Sequence, residues 1–161
     1  MATAAPEAQS PLASDLSWLL SRASHNLTTE LTAALEDLDI SPRDHAVLST
    51  AMCGEHTQTE IARMVGLDKT TMVVTVDELE AAGLAERRPS STDRRARVIV
   101  VTDAGKRSVK AADKVLDRVR DDVLSVLEPD ERRVFLDALS RLACGRLSAP
   151  VQCAHPVRRP R

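Results

Sequence analysis

The strongest constraint on the fold lies between His56 and Gly83, in HTQTEIARMVGLDKTTMVVTVDELEAAG. Thr57 and Glu60 have the spacing of a capping box, which starts a helix at Gln58. Ile61, Ala62 and Val65 are the apolar positions of that helix, and Gly66 breaks it. Asp68 caps a following helix whose inward stripe is Met72, Val76 and Leu79, and Gly83 ends it. Two short helices joined by a tight, glycine-containing turn have the layout of a helix-turn-helix.

The segment 84–102 extends the pattern. LAERRP reads as a strand, SSTDRRA as a loop and RVIVVT as a second strand, giving a β-hairpin with a long basic tip. Ser90 and Ser91 are expected to give that tip slack. A helix-turn-helix with such a hairpin directly after it is a winged helix.

The flanking sequence is helical. Leu16, Leu19, Leu20, Ala23, Leu27, Leu31, Ala34, Leu35 and Leu38 recur at spacings of three and four, one face of a long helix capped near Ser14 or Asp15. A second helix opens with Ser41 as N-cap and Pro42 at its first position. Thr102 caps a fifth helix, whose stripe runs Val109, Ala112, Val115, Leu116, Val119, Val123 and Val126. Glu128-Pro129-Asp130 starts a sixth, with Val134, Phe135, Ala138, Leu139 and Leu142 inside and Gly145 at its end. The fold class is therefore mainly α with a small β-hairpin wing: a winged helix-turn-helix lobe plus a helical dimerisation region. Trp18 and Phe135 are the only aromatic residues, so aliphatic side chains must build the core.

The expected organisation is a flexible N-terminal tail over 1–13, one domain over 14–147, and a flexible basic tail over 148–161. Within the domain the lobe covers about 42–102, flanked by helices at about 14–38 and 103–146. The N-terminus has neither a basic nor a long apolar leader segment, and the run Val98–Val101 is far too short to span a membrane. Cys53, Cys144 and Cys153 lack metal-ligand spacing. His25, His45, His56 and His155 are scattered, so no metal and no cofactor is expected. Nucleophile elbow, phosphate loop and paired carboxylates are all missing from the pattern, which argues against an enzyme. A cytoplasmic, nucleoid-associated protein with reduced thiols is expected.

Charge is placed unevenly. The net charge is −2, and the N-terminal third is acidic. From Arg87 to Arg97 the balance reverses, with Arg87, Arg88, Arg94, Arg95 and Arg97 against Asp93. A local basic surface suffices for a polyanionic partner, because placement matters as well as total. Guanidinium is planar, always charged and weakly hydrated, which suits a narrow minor groove. Asp93 is expected to orient Arg95 through a bidentate pair. Arg97 opens the second strand, where it meets phosphate. Of Arg87 and Arg88, one faces solvent or phosphate and the other pairs with a helix carboxylate. The outward positions of the second short helix are Lys69, Thr70, Val73 and Val74, with Asp68 and Thr71 at its start. Thr57, Gln58 and Thr59 stand at a helix N-terminus, whose free N–H groups favour a phosphate.

In order and in residues, the chain resembles the MarR family of winged-helix regulators over roughly 14–147. The wing carries the most specific likeness: Asp93-Arg94-Arg95, then Val98-Ile99-Val100-Val101-Thr102, then Asp103-Ala104-Gly105. Val76-Asp77-Glu78-Leu79-Glu80-Ala81-Ala82-Gly83-Leu84 is similar to the end of the family's recognition helix. The resemblance implies a homodimer in which the first and last two helices interlock. The long apolar stripes of the first and fifth helices fit this independently. A two-fold dimer predicts a pseudo-palindromic site on double-stranded DNA with half-site centres about 10 base pairs apart.

By the same resemblance Arg94 or Arg95 is the minor-groove finger. Many members carry Thr or Arg where this chain has Val73 and Val74. That departure removes an arginine contact to guanine, while valines can still meet thymine methyls and Lys69 can reach guanine or phosphate. The resemblance also implies a small aromatic or phenolic effector in a crevice beside the dimer helices, approached here by Trp18, His25 and Arg43. The resulting reading is a sequence-specific, DNA-binding repressor released by a small molecule. Two others stay open at this point: a winged-helix module that contacts protein and has no DNA ligand, and an oxidant sensor using Cys53.

Overall fold

The computed structural model describes residues 11–93, 95–149 and 151 of the 161-residue chain. Arg94, Cys153 and His155, with most of both expected tails, lie outside the described residues. In chain order the structure has α1 (Leu16–Ala34), α2 (Pro42–Ala51), α3 (Gln58–Val65), α4 (Lys69–Ala81), β1 (Ala85–Pro89), β2 (Arg97–Val101), α5 (Asp103–Leu124) and α6 (Pro129–Cys144). Two compact units are present, one ending at Val119 and the other beginning at Arg120.

The local grammar accounts for the helix boundaries. Asp15 caps α1, accepting from the Trp18 N–H at 2.7 Å. α1 is shorter than its apolar periodicity predicts. It stops at Ala34, a short 3-10 turn covers Glu36–Leu38, and Asp39 takes a left-handed φ of 48°. The break turns the chain so that Leu35 and Ile40 enter the lobe core. Capping boxes start α2 at Ser41/Asp44 and α3 at Thr57/Glu60. Gly66 closes α3 in the left-handed region, with φ 74°. Side chains bulkier than hydrogen are strained there, so glycine makes the tight turn into α4 possible.

The core of the first unit is aliphatic. Leu48 from α2, Ile61 from α3, Met72 and Val76 from α4, and Ile99 from β2 meet in one cluster. Each such side chain contributes about 1.5–3 kcal/mol on burial, so this cluster is what fixes α4 and the hairpin against α2 and α3. Thr75 is buried among them, and its hydroxyl donates to the Thr71 carbonyl at 2.9 Å, so no polar group is stranded.

β1 and β2 pair antiparallel, with Arg87 opposite Ile99 and Pro89 opposite Arg97. A third, one-residue partner is not apparent from the sequence: Thr57 bridges Val98, and the Ile99 N–H donates to the His56 carbonyl at 3.0 Å. The hairpin is thereby joined to the residue that caps α3.

In the second unit α6 starts at a Glu128/Glu131 capping box and buries none of its residues within the chain. Val134, Phe135 and Leu142, expected inside, are exposed. α1 likewise buries no residue. The amphipathic pattern of both helices is real, but the described residues leave Leu16, Leu19 and Leu27 of α1 and Val134, Phe135 and Leu142 of α6 exposed and the rest of each stripe at most half-buried. Among the described residues no helix is long and apolar enough to cross a membrane.

Candidate nucleic-acid interface

The candidate interface draws on α3, α4, the hairpin and the loop before α3. On α4 the stripe Met72, Thr75, Val76 and Leu79 is buried, which turns Thr70, Val73, Val74 and Asp77 outward. Val73 is 37% and Val74 49% exposed, so neither valine serves the core. The polar groups at the start of α4 are mostly committed to capping. The Asp68 carboxylate accepts from the Thr71 N–H at 2.9 Å and the Thr71 hydroxyl at 2.5 Å. Those bonds hold its carboxyl below the usual aspartate range. Lys69 and Thr70 remain exposed on the first turn.

At α3 the Thr57 hydroxyl donates to Glu60 and accepts from the Glu60 N–H, so its side chain is used by the cap. Gln58 is used too: its Oε1 accepts from Arg87 Nε at 3.3 Å and from the second guanidinium nitrogen at 3.1 Å. Thr59 is exposed.

Arg87 is the hub of this region. Besides Gln58 it pairs with Asp77 at 2.7 Å and with Glu80, whose carboxylate also accepts the Arg87 N–H at 2.7 Å. One side chain thus ties β1 to both helices of the helix-turn-helix. Arg88 is exposed and pairs with Glu86 on its own strand. Of the two arginines, Arg87 is therefore the one that takes the helix carboxylates, and Arg88 the one that faces solvent.

The wing tip departs from expectation in two ways. First, Ser90 and Ser91 do not give slack. Ser90 is buried, and its hydroxyl donates to Glu55 at 2.9 Å. The Ser91 N–H donates to the same Glu55 oxygen at 3.0 Å. The Ser90 N–H reaches the Ala96 carbonyl, and the Ala96 N–H reaches the Asp93 carbonyl, each at 3.0 Å. Second, the Asp93 carboxylate accepts the Arg95 backbone N–H at 2.9 Å and makes no bidentate pair with that guanidinium. A short side chain two residues away closes this local turn readily, which leaves the arginine head free to point outward. Arg95 and Arg97 are both exposed.

Glu55 carries no signal in the sequence, because its bonds cross a separation of 35 residues and follow no local pattern. Hydrogen bonds from Ser91 and Ser90 hold its carboxyl below the usual glutamate range. A lowered pKa means the ionised form is the one bound, so the clamp is complete at neutral pH. It is lost as the pH falls below the ordinary glutamate range and through the lowered value. Replacing Glu55 by Ala is expected to cut hydrogen-exchange protection of the Ser91 and Ala96 amides about ten-fold, with the α4 core unmoved. Glu55→Gln, which retains an acceptor oxygen, should recover most of it. Equal protection in wild type and Glu55→Ala would show that the tip is held by its own turn alone.

A cavity of about 700 Å³ lies between α1 and the start of α2, lined by His25, Thr28, Thr32, Leu35, Asp39 and Ile40 among others. Of the three residues expected near such a crevice, His25 alone lines it. Trp18 lies nearly two turns earlier with Arg22 stacked 5.0 Å from its ring centre, and Arg43 is exposed on the first turn of α2. His45 reaches from α2 to Asp113 of α5 at 2.7 Å. Cys53 is an exposed free thiol whose Sγ lies 3.4 Å from the Ser49 carbonyl, and Cys144 is also free and exposed.

Comparison with known proteins agrees with this geometry. The family model described as MarR family matches residues 38–96. A MarR-family transcriptional regulator from Rhodococcus sp. RHA1 superposes with a TM-score of 0.77 at 27% identity, covering 85% of this chain and 99% of that one. CouR from Rhodococcus jostii RHA1, bound to p-coumaroyl-CoA, gives 0.77 at 27% identity, with coverage of 89% and 99%. The transcriptional repressor CouR bound to a 23-mer DNA duplex gives 0.76 at 26% identity, with coverage of 88% and 99%. The family model falls on the helix-turn-helix and wing, and the structural likeness extends over the flanking helices: the fold is a winged helix-turn-helix, and its residues 38–96 are similar to the MarR family.

Proposed function

We propose that the chain is a homodimeric, sequence-specific DNA-binding transcriptional regulator, a repressor released by a small aromatic or phenolic effector. The observation that carries this reading is the locked wing. The Thr57–Val98 bridge and the Glu55 clamp join the hairpin to the helix-turn-helix, and the hairpin presents Arg95 and Arg97 to solvent. A preset tip binds with less ordering cost than a loose one.

In this reading α4 enters the major groove through Lys69, Thr70, Val73 and Val74, with Asp68 and Thr71 holding its first turn. Arg95, with Arg94, enters the adjacent minor groove, while Arg97, Arg88 and Thr59 meet phosphate. Gln58 and Thr59 contribute backbone N–H groups at the start of α3, while Thr57, whose N–H and hydroxyl are both bonded to Glu60, sets the cap that aims them. The CouR complex with a 23-mer duplex supports DNA as the partner.

The uncovered apolar faces of α1 and α6 support a second copy of the chain as what covers them. The cavity beside His25, and the binding of p-coumaroyl-CoA by CouR, support an effector near α1. Such a ligand acts by favouring a lobe spacing that no longer matches one helical turn of DNA.

A gel shift on the chain's own promoter DNA over a salt series tests the reading. Binding that weakens steeply as salt rises is expected. No shift at low salt would refute it and favour a winged helix that contacts protein.

A further inference from the structure

The outward face of α4 has an uneven chemistry. Its buried stripe runs Met72, Thr75, Val76 and Leu79. The opposite stripe begins with Thr70, Val73 and Val74, all exposed. The other polar groups nearby are already bonded: Asp68 and Thr71 to each other, the Thr75 hydroxyl to the helix backbone, and Asp77 to Arg87. Asp77 and the exposed Glu78 also bring carboxylates to the next turn, which confines any approach of DNA to the first two turns. In those two turns Lys69 and Thr70 are the polar side chains left to donate, and a pair of adjacent branched methyl groups dominates the surface.

A helix with few donors cannot read base edges chiefly by hydrogen bonds. In the major groove the C5-methyl of thymine is the one apolar mark that distinguishes a base pair. Building on the DNA-binding reading above, we infer that Val73 and Val74 form a thymine-methyl reader, and that the operator half-site carries thymines where the first two turns of α4 enter the groove. Specificity at those positions is by apolar contact, and Thr70 adds a methyl of its own beside them. The two exposed valines are thereby explained by a partner of defined chemistry.

Deoxyuridine, which differs from thymidine only in lacking that methyl, supplies the test. Duplexes are selected from a random-sequence pool with the full chain. Each half-site thymine of the selected duplex is then replaced in turn by deoxyuridine, and affinity is measured by fluorescence anisotropy. One or two replacements per half-site should weaken binding about four-fold each, the worth of one buried methyl. The same replacements should change binding of V73A/V74A by less than about two-fold, since the valine methyls that met the base are gone. Both valines are exposed, so the variant is expected to melt like wild type, and the deoxyuridine arm needs no variant at all.

Wild-type affinity indifferent to every replacement would overturn the inference while leaving DNA binding intact. So would a V73A/V74A protein that keeps the full penalty, or one that binds the selected duplex as tightly as wild type, which would assign the valine pair to a protein contact. A pool that yields no enriched duplex would remove the DNA-binding reading itself, and this inference with it.

Discussion

Replacing Arg94 and Arg95 together by Ala is expected to weaken DNA binding about a hundred-fold at physiological salt and to flatten the salt dependence by about two ions. That magnitude corresponds to removing two charge-assisted hydrogen bonds, each contributing about 1.5 kcal/mol. The effect should be large in this chain because α4 offers little positive charge, with Lys69 as the cation on its first turn. On the proposed DNA-binding reading, the wing is expected to supply an unusually large share of the affinity. Its preset geometry adds to that share, since Glu55 and Asp93 bond the backbone of the tip and leave the Arg95 head free. Arg88→Ala is the natural control. Arg88 is exposed and shares its charge with Glu86, so its loss should cost less than about ten-fold. Fluorescence anisotropy across a salt series measures both effects. A double variant with unchanged slope would place the wing away from DNA.

The largest expected loss of stability comes from a residue that touches no ligand. A Cβ on Gly105 would sit 2.1 Å from the Leu84 carbonyl oxygen and 2.7 Å from Val101 Cγ1. Neither neighbour can retreat cheaply. The Leu84 carbonyl accepts the Thr102 N–H at 3.0 Å, and Val101 is buried in the hairpin. Thr102 completes this joint, its hydroxyl donating to the Gly83 carbonyl at 2.7 Å and accepting the Gly105 N–H at 3.0 Å. The start of α5, the end of α4 and the root of the wing thus meet with no room for a methyl group. Gly105→Ala is expected to destabilise the fold by about 3 kcal/mol, the upper range for overpacking. The corresponding fall in melting temperature is about 6–12 °C. Urea unfolding measures it directly, and a loss below about 1 kcal/mol would mean that the joint yields more easily than its bonds suggest.

These two sites show what is legible in the sequence and what is not. Asp103-Ala104-Gly105 stands out in the sequence as part of a family pattern, but the reason for the glycine is a carbonyl twenty-one residues away. Helix starts are local events, so Ser41, Thr57, Asp68 and Thr102 all cap as their spacing predicts. Periodicity is local as well, which is why the α4 stripe and the exposure of Val73 and Val74 can be read from residue order. It overran at the end of α1, because Leu35 and Leu38 keep the spacing although the helix has stopped at Ala34 and given way to a 3-10 turn that ends at the left-handed Asp39. What the pattern could not supply was tertiary. The Glu55 clamp and the Thr57–Val98 bridge join segments 35 and 41 residues apart, and neither leaves a trace in composition or spacing. The serines of the tip looked like slack for the same reason: serine favours loops, and only the fold reveals the carboxylate that binds them.

The apolar stripes of α1 and α6 are a different case. Their amphipathic character is plain in the sequence, yet the described residues of a single chain leave much of each stripe exposed. The dimer proposed above resolves this and ties it to DNA, since a two-fold pair of winged lobes reads two half-sites. Hydroxyl-radical footprinting of the chain on its own promoter DNA tests that account most directly. Two protected half-sites of inverted sequence should appear, with centres about 10 base pairs apart. A single protected patch with no dyad, or uniform cleavage along the whole duplex, would contradict it.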